Sequence, residues 1–316
     1  MSARRFSSID VLLLLMTLIW GTNYAIVKHA FLSIDPQAFN AGRMLVASTL
    51  FLAIMVSIRR LPPSRRADGS LAGIFYTPTR VTARDLAGLA GLGLVGQCLY
   101  QYAFVAGLAN TSVANAALIT GAAPVLIAIA SGAMGEERIG ISHWAGALLS
   151  LGGIYIVVGP GLNVGGSTLR GDVTMFGAVC CWAIYTLGSR PIMKRHSPVA
   201  VTGLSMVIGT GMYVPVVAGH LRRVDWAAVD TATWVAMIYS GVFALGVAYT
   251  IWYAAVRDIG SARTSMYSNV VPLVAMGTAV VFLGEPLGAR KIAGAAAVVV
   301  GVALTRVRLL TPNPET

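Results

Sequence analysis

Apolar residues dominate helix-length stretches of this chain instead of alternating with polar ones. Clusters of Gly, Pro or charge separate the stretches. Val11–Ile19 and Val298–Leu304 are apolar on every face, whereas a strand of a membrane barrel alternates apolar and polar positions. A helix crosses the hydrocarbon layer with roughly 20 mainly apolar residues. On that measure the pattern predicts ten membrane helices, at 9–28, 37–58, 84–107, 111–133, 140–158, 172–189, 198–218, 231–255, 261–283 and 288–306. Most connections are only a few residues, so consecutive helices should pack antiparallel. The longest polar connection, 59–84, carries Pro62, Pro63, Arg65 and Arg66. Arg4 and Arg5 before the first apolar run mimic a secretory signal, but no small-x-small site follows and the chain stays apolar to Val27. The run reads as an uncleaved first span.

Composition strengthens the membrane reading. Hydrophobic residues make up 56% of the chain and charged ones 11%, against about 25% charged in soluble domains. That supply cannot cover a soluble fold of 316 residues, which excludes a soluble enzyme, a disordered chain and a disulfide scaffold. The 23 Lys and Arg exceed the 12 Asp and Glu, giving a formal charge of +11. Basic residues collect in the cytoplasmic loops of membrane proteins. No basic stretch interleaves with aromatics as nucleic-acid grooves require, so the expected partner is the lipid bilayer and not nucleic acid. Cys98, Cys180 and Cys181 all fall in apolar stretches and read as small buried hydrophobes. Without Cys/His ligand spacing, no metal or other cofactor is expected.

In a ten-span arrangement one side of the membrane collects Arg4, Arg5, Arg59, Arg60, Arg65, Arg66, Arg80, Arg84, Arg138, Arg190, Lys194, Arg195, Arg257, Arg263, Arg306 and Arg308. The other collects Lys28, Arg170, Arg222, Arg223, Arg290 and Lys291. This asymmetry predicts cytoplasmic termini, including the tail 307–316.

The chain also resembles itself. A shift of 148 positions superposes Tyr102–Ile154 on Thr250–Val302 without a gap, matching Ala106 with Ala254, Ala114 with Ala262, Pro124 with Pro272, Glu137 with Glu285, Gly146 with Gly294 and Gly153 with Gly301. At a nearby shift Trp20 matches Trp182 and Lys28 matches Arg190. Two repeats follow, 1–158 and 172–306. Five helices each is an odd number, so the second repeat enters from the opposite side. The predicted fold is an all-α polytopic membrane protein, ten transmembrane helices in a five-plus-five inverted repeat, the architecture of secondary transporters. A duplicated scaffold or membrane enzyme is the competing reading.

Particular motifs resemble a known family. Trp20-Gly-Thr-Asn-Tyr-Ala-Ile-Val-Lys28 resembles the first-helix signature of EamA-type carriers of the drug/metabolite transporter superfamily, and Pro36 with Arg43 resembles their second helix. Tyr102–Pro124 and Trp252–Pro272 resemble the paired central helices. Leu283-Gly-Glu-Pro-Leu-Gly288 resembles the family's Gly-Glu turn, and Gly135-Glu136-Glu137-Arg138 is an altered counterpart. The resemblance implies a bacterial inner-membrane exporter of small metabolites, amino acids or toxic compounds, and leaves the substrate open.

Polar groups inside spans are costly and turn toward a cavity or another helix. Arg43, about seven residues into its span, is the most expensive; it either meets an anionic group of a substrate, such as a carboxylate, or serves structure by snorkelling outward or binding helix-end carbonyls. Asn115 and Thr120 in the first repeat, and Thr264, Ser265, Ser268 and Asn269 in the second, make corresponding polar stripes. They line a cavity or bond neighbouring helices. Pro124 and Pro272 interrupt the same spans and would free carbonyls one turn earlier. Trp20, Tyr24, Tyr100, Tyr102, Trp182, Tyr185, Tyr249, Trp252, Tyr253 and Tyr267 supply aromatic faces for a cavity wall or for packing. The candidate binding set is Trp20, Asn23, Tyr24, Arg43, Gln97, Gln101, Tyr102, Asn115, Thr120, Trp182, Tyr185, Tyr249, Trp252, Ser265 and Asn269. Within it, Tyr102 and Tyr249 with Gln97 and Gln101 would bond a zwitterion.

No carboxylate or histidine is central to a span, so export driven by the substrate gradient is expected, or coupling through Glu137 or Glu285, which otherwise hold a turn or cap a helix. Small-residue stripes at Ser142, Gly146 and Ser150, and at Ala293, Ala297 and Gly301, suit helix packing or a homodimer contact. The expected activity is export of amino acids or related amphipathic solutes by alternating access around a midplane cavity. A multidrug exporter is the neighbouring alternative. No catalytic residue set is found.

Overall fold

The computed structural model of the chain describes residues 8–61, 72–133 and 169–306, apart from positions 77 and 287, and a few isolated positions between 145 and 156. Most of the predicted span 140–158, Ser142, Ser150, Glu137 and the tail 307–316 lie outside the described residues. Among these residues all regular structure is helical. Helices α1 (Ser8–Ala30), α2 (Pro36–Arg60), α3 (Ala83–Asn110), α4 (Val113–Gly132), α5 (Leu169–Met193), α6 (Pro198–Val216) and α7 (Thr231–Ile259) are each long and apolar enough to cross a membrane. Three shorter segments follow, α8 (Ser261–Tyr267), α9 (Val270–Leu283) and α10 (Ala289–Arg306). Helix ends differ from the sequence expectation by a few residues, and the predicted 261–283 span is divided between α8 and α9.

Local chemistry sets the helix starts. Asp35 accepts the N–H groups of Gln37 and Ala38 at the head of α2, where Pro36 has no N–H to satisfy. Thr82 and Asp85 form a reciprocal capping box on α3. Ser197 caps α6 ahead of Pro198. Asp230 caps α7 by accepting the Thr233 N–H at 2.7 Å and its hydroxyl at 3.1 Å. Outside the spans, the Thr233 N–H above all holds the Asp230 carboxyl below its usual range. A depressed carboxyl pKa contributes stability above the unfolded value, near pH 3.8, and that contribution is lost as pH falls through the folded value. Asp230→Ala is therefore expected to melt below the parent protein at neutral pH in detergent. The gap should narrow as pH falls through and below about 4; a gap independent of pH would show that the cap does not act through its charge.

Contacts at the two ends give the direction of α1, α3, α5 and α7. Lys28, near the end of α1, donates to the carbonyls of Leu108, Ala109 and Thr111 at the end of α3. Thr111 donates to Asp172 at the start of α5. Asp35 meets His220, beyond α6, and Glu285, beyond α9, reaches the start of α4. At the opposite end, Asp85 at the start of α3 meets Arg195 and His196, just past α5. Arg257, near the end of α7, donates to the Gly73 carbonyl. Helices α1 and α3 thus run from the Asp85 end to the Lys28 end, and their repeat mates α5 and α7 run the other way.

The mates also meet each other. The Trp20 and Trp182 rings lie 5.6 Å apart, Ser48 and Thr210 share a hydrogen bond of 2.9 Å, and Gln101 donates to Tyr249 at 3.0 Å. Repeat-equivalent residues touch only beside a local two-fold axis. Helices α3 and α7 each contain a π-helical stretch at the same repeat position, Gly93–Leu99 and Ser240–Val247. A Cβ on Gly93 would lie 2.9 Å from the Ser205 carbonyl oxygen, and one on Gly241 would lie 2.7 Å from that of Arg43. Both helices therefore approach a neighbour's backbone, α6 and α2 respectively, through a glycine where the wider turn begins.

Candidate functional site

Around that axis the repeats enclose a cavity of about 60 Å³ as available to the centres of water-sized molecules, where a single water needs roughly 10–15 Å³. Trp20, Asn23 and Tyr24 of α1, Arg43 of α2, Gln101 of α3, Thr120 of α4, Trp182 of α5 and Tyr249 of α7 line it. All eight belong to the set chosen from sequence. Pro272 and Ser268 add the wall from the α8–α9 break. Pro124 and Pro272 carry no N–H to offer the carbonyls four residues earlier, those of Thr120 and Ser268, and both of these residues line the cavity. Thr120 also receives the Tyr24 hydroxyl at 2.9 Å.

Arg43 is 2% exposed. Its Nε donates to Asn40 Oδ1 at 2.6 Å, its Nη1 to Ser240 Oγ at 3.1 Å and its Nη2 to Gln101 Oε1 at 2.7 Å. Gln101 is held in turn by its bond to Tyr249, and the Phe104 ring lies 5.8 Å from the guanidinium. Every acceptor is neutral; among the described residues no carboxylate lies within ion-pair distance of Arg43. An ion inside a bilayer costs at least about 2.5–3.5 kcal/mol, and these bonds satisfy its donors without neutralising its charge. The arginine is thereby fixed across α2, α3 and α7 at the cavity edge, instead of reaching for helix-end carbonyls.

The aromatic residues separate into wall and packing. Trp20, anchored by its Nε1 donating to the Ala244 carbonyl at 3.0 Å, meets Trp182 and Tyr249 edge-on. Trp182 also packs on Tyr100 at 5.2 Å. Trp252 is 0% exposed and stands behind Trp20 and Trp182 without lining the cavity. Tyr185 bonds Ser205 at 2.7 Å and packs on Tyr253, with Gln97 beside it, away from the cavity. Tyr102 is 41% exposed on the outer face of α3, so the sequence-proposed group of Tyr102, Gln97, Gln101 and Tyr249 comes together only as the pair Gln101–Tyr249. Asn115, Ser265 and Asn269 are buried but stand outside the lining, as does Pro124. Tyr100, named from sequence only among the aromatic faces for a cavity wall or packing, also lines the cavity, as do Phe104 and Leu245, which sequence did not single out. The signal for Tyr100 and Phe104 was i, i+4 spacing on the turn that carries Gln101.

Glu285 stands at the Lys28 end of the bundle, outside the cavity. Its carboxylate accepts the N–H of Val113 at 2.8 Å and that of Ala114 at 3.4 Å, capping α4 from the other repeat. Lys28 directs three hydrogen bonds of its ammonium at the end of α3. The α3–α4 corner is thus clamped between a cation at the carbonyl end of one helix and an anion at the N–H end of the next, as helix dipoles favour. Among the described residues no group of three or more His, Cys, Asp or Glu could hold a metal ion.

Comparison with known proteins bears on what such a cavity serves. The model of the EamA-like transporter family matches the chain twice, over residues 7–159 and 169–307. A Bacillus subtilis relative named "Uncharacterized transporter YyaM" is 25% identical over 93% of this chain and 92% of its own length. A Salmonella typhimurium relative named "Probable amino-acid metabolite efflux pump" is 24% identical over 92% of both. A solved crystal structure 19% identical to the chain shares its fold, with a TM-score of 0.69 over 96% of this chain and 99% of the other.

Proposed function

The chain belongs to the EamA-like transporter family, and on that premise we propose that it exports amino acids or related small amphipathic solutes across a bacterial inner membrane by alternating access. The observation that carries this reading is the cavity between the repeats, where Trp20 faces its mate Trp182 and Gln101 faces its mate Tyr249. A site on a local two-fold axis presents the same walls to either side, so two related packings can open it in turn. The reading takes the chain as ten spans in a five-plus-five inverted repeat, supported by the antiparallel course of the paired helices. It places the Asp85 end in the cytoplasm with both termini, because Arg84, Arg195 and Arg257 gather there.

Among the described residues, neither a carboxylate nor a histidine lines the cavity, which supports movement down the substrate's own gradient. The protein in liposomes loaded with amino acids is expected to accelerate their efflux, with rates unchanged by an imposed pH gradient. Uphill movement driven by that gradient would overturn uncoupled export, and efflux no faster than from empty liposomes would overturn the transport reading. The name of the Salmonella relative points to amino-acid metabolites. The fixed charge of Arg43 disfavours the permanent cations handled by many drug exporters, so quaternary ammonium dyes are expected to move poorly.

A further inference from the structure

Two groups in the cavity wall are left with unmet capacity of opposite kinds. Arg43 carries a full positive charge fixed by three neutral acceptors. A guanidinium has five N–H donors, so two remain for another acceptor. Asn23 is 5% exposed and lines the same cavity, and its buried Oδ1 makes no hydrogen bond among the described residues. Side-chain oxygens buried in this way normally have a partner. A cationic donor bonded to neutral acceptors calls for an anion with a planar acceptor edge, and an unpartnered amide oxygen calls for an N–H. The aromatic faces of Trp20, Trp182 and Tyr249 border the same space and attract an ammonium through their ring quadrupoles.

We propose that this cavity recognises the α-amino-acid zwitterion itself: Arg43 takes the carboxylate, Asn23 Oδ1 accepts from the ammonium, and the apolar body of the solute lies against Tyr100, Phe104 and Leu245. The inference rests on the export reading above and adds to it the two atoms that define the substrate class. Asn40, Gln101 and Ser240 position the guanidinium, and Tyr249 acts one bond further out through Gln101. The repeat mate of Arg43 is Ser205, which is bonded to Tyr185. The local symmetry is therefore broken at this point, and among the described lining residues the one cation, Arg43, stands on the first-repeat side of the axis.

The test is a matched series on the purified full chain in detergent, followed by titration calorimetry. L-leucine is compared with 3-methylbutylamine, which lacks the carboxylate, and with 4-methylpentanoate, which lacks the amine. L-phenylalanine is compared with phenethylamine and 3-phenylpropanoate in the same way. Each amino acid is expected to bind at least tenfold tighter than either partner. Arg43→Gln should erase the advantage over the amine, and Asn23→Ala the advantage over the acid. The wild-type series decides the matter even where Arg43→Gln fails to fold. An amine that binds as well as its amino acid overturns the assignment, and so does the lack of saturable binding throughout. Efflux of the same compounds from liposomes separates the two readings, because a protein that exports the amines as fast as the amino acids remains a carrier while losing this recognition site.

Discussion

Gly241→Val is expected to destabilise the protein by about 1–3 kcal/mol, the usual cost of forcing extra carbon into a close-packed contact, and to halt efflux. A Cβ at this position would meet the Arg43 carbonyl oxygen at 2.7 Å and Val46 Cβ at 2.8 Å. The first of these is backbone, which cannot rotate away as a side-chain tip would. Relief therefore requires α2 to move off α7, and α2 carries the guanidinium whose Nη1 bonds Ser240, the residue before the substituted glycine. The added side chain thus disturbs both helix packing and the charged wall of the cavity. The mate, Gly93→Val, meets the Ser205 carbonyl oxygen at 2.9 Å and the Gly209 nitrogen at 3.0 Å and is expected to be equally damaging to stability. Gly211→Ala, whose added carbon meets nothing within 4 Å beyond its own stretch of helix, serves as the tolerated control. Thermal melting of the three variants in detergent checks the ordering; a Gly241→Val protein as stable as the Gly211→Ala control would show that the close approach is not required.

Glu285→Gln is expected to loosen the α3–α4 corner and to shift the carrier toward states open at the Lys28 end. The carboxylate bonds of Glu285 to Val113 and Ala114 are charge-assisted, a type worth about 1.5–3 kcal/mol net. Losing most of that moves a two-state equilibrium by roughly tenfold or more, since each 1.4 kcal/mol or so is a factor of ten. Lys28 and Asp172 still hold the corner from α1 and α5, so the variant should fold. Backbone hydrogen exchange over residues 113–116 reads the outcome directly. Protection is expected to fall by at least about tenfold in Glu285→Gln, and further when Lys28→Met is added, because the two clamps act on neighbouring ends of one corner. Unchanged protection would show that the cap merely decorates a corner held elsewhere.

Much of this molecule is visible in the order of its residues. Runs such as Val11–Ile19 have no polar face, so they can be satisfied only as helices in lipid, and the span positions follow from that requirement. Pro124 recurring as Pro272, and Trp20 recurring as Trp182, reveal two copies of one unit. The expense of a guanidinium in a span marks out Arg43 from sequence alone. The boundaries were less legible. The division of the 261–283 run between α8 and α9, and the π-helical stretches beginning near Gly93 and Gly241, leave no mark in hydropathy, which averages over a turn.

Which polar residues meet is a separate matter. Tyr102 and Gln101 are neighbours in the chain, yet one faces outward and the other bonds Arg43 and Tyr249; a helix turns about 100° per residue, and only its neighbours decide which side is inside. Trp252 and Trp20 looked alike as deep aromatics, and packing alone set one behind the other. The sequence by itself determined the solvent, the helices and the duplication, because these depend on composition and periodicity along one dimension. The tertiary structure alone decided that Arg43, Asn23 and the paired tryptophans share one space, because that depends on helix rotation and on the glycine contacts that let α3 meet α6 and α7 meet α2.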